Sequence, residues 1–155
     1  MAAVCLDRGM CLRVDHAETQ LQSFIDKFGP DNQSLIRGMR ATLQRRLSDC
    51  AELVYDNYNF FVIGYSPTER PSDYIVSIAA SARGAGLSFN RGSELSDPDK
   101  ILQGSGKVNR FIRIPSADTL ALPQIDGMIA RACKSARSPQ PWMAGGKLII
   151  RSVSA

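Results

Sequence analysis

Between Leu47 and Ala51 the hydrophobic residues change their spacing, and that change limits what the chain can fold into. Before it, Leu21, Phe24, Ile25 and Phe28 recur at i, i+3, i+4 and i+7, the period of an amphipathic helix. Gly29-Pro30 closes that helix. Asp31 suits the N-cap of a second one, with Leu35, Ile36, Met39, Leu43 and Leu47 on one face. The opposite face carries Arg37, Arg40, Arg45 and Arg46, a stripe read as a solvated helix face or a phosphate contact.

After the change, strand signals dominate. Ala51–Tyr65 is dense in aromatic and β-branched residues, with a bend at Asp56-Asn57. Ser66–Asp73 is a turn-rich loop, and Tyr74–Ser81 is the next strand. The glycine-containing ARGAG connection leads to a short strand, LSFNRG. Asp97-Pro98 reads as an N-cap with proline at N1, opening a short helical turn through Leu102. Val108–Ile114 is a strand, and Pro123 opens a helix with Ile125, Met128, Ile129, Ala132 and Cys133 at helical spacing. Lys147–Ser154 is a last apolar run, an added strand or a docked tail. Helices, then strands on short turns, then a helix predict an α+β fold: an antiparallel β-sheet with helices packed on one face. The expected organisation is a loose leader over residues 1–16, a domain over 17–137, and a linker with a strand or tail over 138–155.

With 155 residues, 44% hydrophobic and 22% charged, the chain suits one domain with a single core. No window approaches the ~20 apolar residues that span a bilayer, so no membrane contact is expected. Asp7, Arg8 and Arg13 interrupt the first residues, which argues against a secretory signal. The four cysteines, Cys5, Cys11, Cys50 and Cys133, form no CxxC pair. They read as reduced thiols of a cytoplasmic protein, with Cys50 and Cys133 as small core residues. The net charge of +4 is uneven: eight Lys/Arg against two Asp/Glu from Lys107 onward, eleven against thirteen before it. A basic third suits nucleic acid or a protein partner, and equally a solvated face.

No catalytic apparatus is evident. The single histidine, His16, lies in the expected leader, and HExxH, GxSxG and the GxxxxGK[ST] phosphate loop are absent. The candidate site is the turn Gly104-Ser105-Gly106-Lys107, where glycines can aim successive N–H groups at an anion. Arg110 and Arg113 follow. Strand alternation puts Arg110 on a face with Val108, Ile112 and Ile114. An arginine there needs a partner, either a carboxylate such as Glu52 or Asp56 or a bound anion. Tyr55, Asn57 and Tyr58 can line a small pocket or pack the core. Arg83, Asn90 and Arg91 lie in glycine-rich connections and can reach the same cavity or stay solvated.

The blocks ELVYDNYNFFVIGY, SDYIVSIAAS, LSFNRGSELSDPDKILQGSGKVNRFIRI and GGKLIIRSVSA, in that order, resemble the DUF1801 or YdhG-like family. The likeness runs from about Ala17 to the end. Its G-[ST]-G-K-x-x-R-x-I-R pattern falls on Gly104, Ser105, Gly106, Lys107, Arg110, Ile112 and Arg113. The resemblance implies a small cytoplasmic α+β domain, for which most members have no assigned activity. One branch looks like a frataxin-like iron chaperone, and for that reading Glu52, Asp56, Glu94, Asp97 and Asp99 are the candidate ligands.

The expectation is therefore a non-catalytic binding domain without a cofactor. Its small anionic ligand would be held by Gly104, Ser105, Gly106, Lys107, Arg110 and Arg113, with Tyr55, Asn57 and Tyr58. The alternatives are an iron chaperone and a nucleic-acid or protein interaction module.

Overall fold

The structure, a computed structural model, describes residues 16–57, 59–138 and 141–153. The expected leader, apart from His16, lies outside them, as do Tyr58, Cys5 and Cys11. The helical spacing forms α1 (His16–Asp26) and α2 (Pro30–Arg46). Pro30, not Asp31, begins α2, with Gly29 as its N-cap. Proline fits there because the first helical N–H has no partner to lose. Phe28 falls just past α1 yet stays buried, its N–H donating to the Ile25 carbonyl.

Strands follow as β1 (Ala51–Asp56), β2 (Phe61–Ser66), β3 (Val76–Ser81), β4 (Gly84–Phe89) and β5 (Arg110–Ile114), then α3 (Pro123–Lys134) and β6 (Leu148–Val153). They form one six-stranded sheet in the order β5-β4-β3-β2-β1-β6. Neighbours pair antiparallel except β6, which runs parallel to β1. The expected antiparallel sheet is present, with β6 as a parallel strand at one edge. A parallel pair needs a long crossover, and nearly the whole domain lies between β1 and β6.

Strand alternation and register build the core together. Ile150, Val54, Ile63, Ile78, Leu87 and Ile112 sit side by side across all six strands. All but Ile150 are buried, and they share one cluster with Leu21 and Ile25 of α1, Met39 and Leu43 of α2, and Met128 and Ile129 of α3. The helices thus cover a single face, as expected. Each such side chain contributes about 1.5–3 kcal/mol on leaving water. Gly86 in β4 faces the other way, and a Cβ there would stand 2.5 Å from the Ile112 carbonyl oxygen.

Two expected elements take other forms. Asp97–Leu102 is a turn, not a helical one: Lys100 N–H bonds the Asp97 carbonyl, and Lys100 sits at φ 55. The strand expected at Val108–Ile114 begins at Arg110, because residues 104–109 loop away from the sheet edge.

The arginine stripe is not uniformly solvated. Arg40 is 7% exposed and holds two carboxylates. Its Nε and Nη2 donate to Glu52 at 2.9 and 2.8 Å, and its Nη1 and Nη2 to Glu18 at 2.8 Å each. Tyr65 Oη donates to Glu52 Oε2 at 2.8 Å. Burial pulls the Arg40 guanidinium down, but the hydrogen bonds it donates to Glu18 and Glu52 carry it well above its ordinary value. Removing one partner of such a buried pair strands the other. Arg40→Met is expected to cost about 3–5 kcal/mol in urea unfolding, and adding Glu52→Leu to recover part of it. The Arg40 hydrogen bond holds the Glu18 carboxyl below its usual 4.5. A depressed carboxyl stabilises the fold above its unfolded value and loses that contribution as pH falls. Wild-type stability should therefore decline below about pH 4.5 with a component that Arg40→Met removes. Gly86→Ala should force β4 from β5 and lower stability by about 1–3 kcal/mol in the same assay.

Candidate functional site

The residues expected to bind an anion do not converge. Gly104 to Lys107 are exposed, and among the described residues no protein acceptor meets their N–H groups. Gly104 takes φ 116, and its Cα carries the chain across the Phe111 ring. Arg110 lies on the core face, in the same cross-strand row as Glu52, Tyr65, Val76 and Phe89. Glu52 is four strands away, roughly 19 Å at ~4.8 Å per strand, and already holds Arg40. Asp56 is bound to Lys27. Arg110 takes neither carboxylate. Its Nη1 reaches past the sheet edge to the carbonyls of Gly106 and of Asn109, the latter at 2.8 Å. It therefore pins the loop that was expected to cradle a ligand. Arg113 is exposed on the opposite sheet face, in a row with Gly86, Ala79, Val62 and Tyr55. Tyr55 and Arg113 thus lie at opposite ends of a row about 19 Å long.

Tyr55 lines a different hollow, about 250 Å³, with Leu53, Val62, Gly64, Pro71 and Tyr74. Burial pushes the Tyr74 hydroxyl above its ordinary value, against a hydrogen bond from Ser88. Asn57 closes the β1–β2 hairpin by exchanging backbone bonds with Phe60 at 2.8 and 3.2 Å. Asn90 and Arg91 turn out to be braces. Asn90 Nδ2 donates to the carbonyls of Ser72 and Tyr74, and Arg91 Nη2 to that of Ser135.

The acidic residues named for iron are dispersed. Glu52 serves Arg40 and Tyr65, Asp56 serves Lys27, and Glu94 lies 3.5 Å from Arg91. Asp97 receives the N–H groups of Ile101 and Leu102, both at 2.9 Å. Asp99 is exposed. No three His, Cys, Asp or Glu side chains form a cluster suited to a metal among the described residues.

A cleft of about 570 Å³ was not anticipated from the sequence. In an antiparallel meander alternate turns emerge at one end of the sheet, so the β1–β2 and β3–β4 turns meet. The α1–α2 junction closes the third side. Lys27, Phe28, Asn59, Phe60, Ala82 and Arg83 line it, with Ser81. Lys27 is neutralised by Asp56, also donates to the Asn57 carbonyl at 3.2 Å, and lies 5.5 Å from the Phe28 ring centre. Arg83 meets no side-chain partner among the described residues, while its N–H bonds Ser81 Oγ at 3.2 Å. Asn32 Nδ2 holds the Ala82 carbonyl at 3.2 Å, tying this turn to α2. Phe60 remains 55% exposed. A solvent-facing ring and an unneutralised guanidinium thus share a braced cleft. The sequence signals were faint: a cation in a glycine turn and one phenylalanine of a consecutive pair.

No protein-family model, curated protein or solved structure matches the chain. Function has to come from this geometry.

Asp97→Ala should speed hydrogen exchange at the Ile101 and Leu102 amides and cost about 1 kcal/mol, the usual worth of a side-chain cap. Unchanged exchange at both amides would show that the turn holds without the carboxylate.

Proposed function

We propose that this chain is a non-catalytic binding domain for a small organic anion with a flat apolar part, held in the turn-end cleft. The observation that carries this reading is the pairing of Arg83, a cation without a carboxylate, with the exposed Phe60 ring in one cleft. Lys27 and Arg46, which also line cavities, are matched internally by Asp56 and Asp126. An unmatched guanidinium offers a planar fork of donors suited to carboxylate or phosphate. An aromatic wall adds apolar contact and stacking. Asn59 and Ser81 supply further hydrogen-bonding groups at the rim. The Lys27–Asp56 pair and the Asn32 bond to the Ala82 carbonyl hold the cleft walls and limit the ordering cost of binding. Arg110 is occupied with the carbonyls of Gly106 and Asn109.

Calorimetry with benzoate, phenyl phosphate and inorganic phosphate tests the reading. The aromatic anions should bind more tightly than phosphate. Arg83→Gln and Phe60→Ala should each weaken them about tenfold, ~1.4 kcal/mol, while Lys107→Ala and Arg110→Ala leave them unchanged. Loss of binding in the Lys107 or Arg110 variants, with none in Arg83→Gln, would return the site to the glycine turn. Failure of all three probes to bind would reject the anion reading.

A further inference from the structure

Arg131 in α3 poses a separate problem. Its Nε is the one buried side-chain nitrogen or oxygen atom without a hydrogen-bond partner among the described residues. Native structures leave few such atoms, and each calls for a reason. The contrast with Arg40 is direct, because Arg40 is buried between two carboxylates. Arg131 has no ion pair among the described residues, and its side-chain hydrogen bond there goes to a weak acceptor, Met128 Sδ, 3.9 Å from Nη2.

The local sequence explains how the guanidinium lies. Helical side chains lean toward the N-terminus of their helix. Residue 127, one turn back from Arg131, is glycine. Arg131 Nη1 sits 3.6 Å from where a Cβ on Gly127 would stand. The guanidinium therefore rests against helix surface that a larger residue would occupy. Its outer edge borders a cleft of about 500 Å³ shared with Asp99, Ile101, Pro123 and Gln124. Gln124 is exposed, lies seven residues before Arg131 and so shares its helix face. It has no side-chain partner among the described residues.

We propose that Arg131 and Gln124 form an oxyanion site that takes a phosphate group, free or as a monoester. The positive charge is delocalised over the whole guanidinium, so an oxyanion at the Nη groups compensates the charge that is held partly out of water, while Nε–H itself gains no acceptor. Gln124 adds an amide donor at the helix surface. Asp99 lines the same cleft, makes no ion pair with Arg131, and opposes the anion. Its place beside Lys100, which sits at φ 55, fixes it in a tight turn at the rim. The site is separate from the turn-end cleft, and its failure leaves that reading untouched.

The side-chain Nε–H resonance of Arg131 reads the site directly. Titration with inorganic phosphate should shift that resonance, and Asp99→Asn should tighten binding several-fold by removing the opposing charge. Phenyl phosphate shifting the Arg131 resonance at lower concentration than inorganic phosphate indicates a monoester, and the reverse indicates the free ion. In the Arg83→Gln background, Arg131→Gln should abolish the phosphate binding that remains by phosphorus NMR, with urea unfolding showing that the fold is kept. Two results overturn the proposal. One is an Arg131 resonance that phosphate leaves unmoved in both wild type and Asp99→Asn. The other is an equal shift caused by Asp99→Asn alone, which would make Asp99 the partner.

Discussion

The hydrogen-bonded group around Arg40 ties the layers of this domain together. It takes Glu18 from α1, Arg40 and Gln44 from α2, Glu52 from β1 and Tyr65 from β2. Glu52 and Tyr65 are direct partners across the β1–β2 pair. A one-residue slip of β1 would carry Glu52 to the uncovered face and leave Arg40 buried without its main partner. The apolar residues alone specify register less sharply, since Leu53 on the opposite face is also almost wholly buried. Burial raises the Tyr65 hydroxyl well above its ordinary value, so it stays a neutral donor to Glu52.

Given that register, the two sheet faces acquire different characters. The covered face carries the unbroken aliphatic row from Ile150 to Ile112. The opposite face has small residues on its central strands, including Gly64, Ser77 and Ala79 of β2 and β3, with Tyr55 and Arg113 at either side. The same meander sets both candidate clefts at its margins: one where alternate turns meet α1, the other where the long β4–β5 connection meets α3.

What could be read from the sequence follows from how local each signal is. Helix periods and strand alternation are local, and α1 to α3, the α+β class and single-face packing came through them. The parallel pairing of β6 was not legible, because an apolar run says nothing about its direction beside β1. Arg40 was not separable from Arg37, Arg45 and Arg46. Only its partner on β1, twelve residues away, marks it as buried. Arg110 was correctly placed on the apolar face beside Ile112 and Ile114, yet its partner was not foreseen. A long side chain at a sheet edge can turn out to backbone carbonyls, an outlet that alternation cannot show. The turn-end cleft needs two turns and a helix junction from three separate segments, so no motif encodes it.

The distribution of ion pairs shows where binding chemistry remains available. Lys27, Arg37, Arg40, Arg46, Arg70 and Arg91 each have a carboxylate within 4.0 Å. From Lys100 to Arg137 no lysine or arginine has one among the described residues. After Lys107, Lys147 alone among the described residues has a carboxylate within 4.0 Å, Glu69 at 2.7 Å, so most of the basic excess there is not balanced by ion pairs. Exposed cations such as Lys134 and Arg137 need no balance, because water screens them. Arg131 differs in that part of its charge is taken out of water with no carboxylate beside it. Arg83 differs in having an aromatic wall within the same cleft. Position in the fold, not the basic count, separates these two arginines from the solvated remainder.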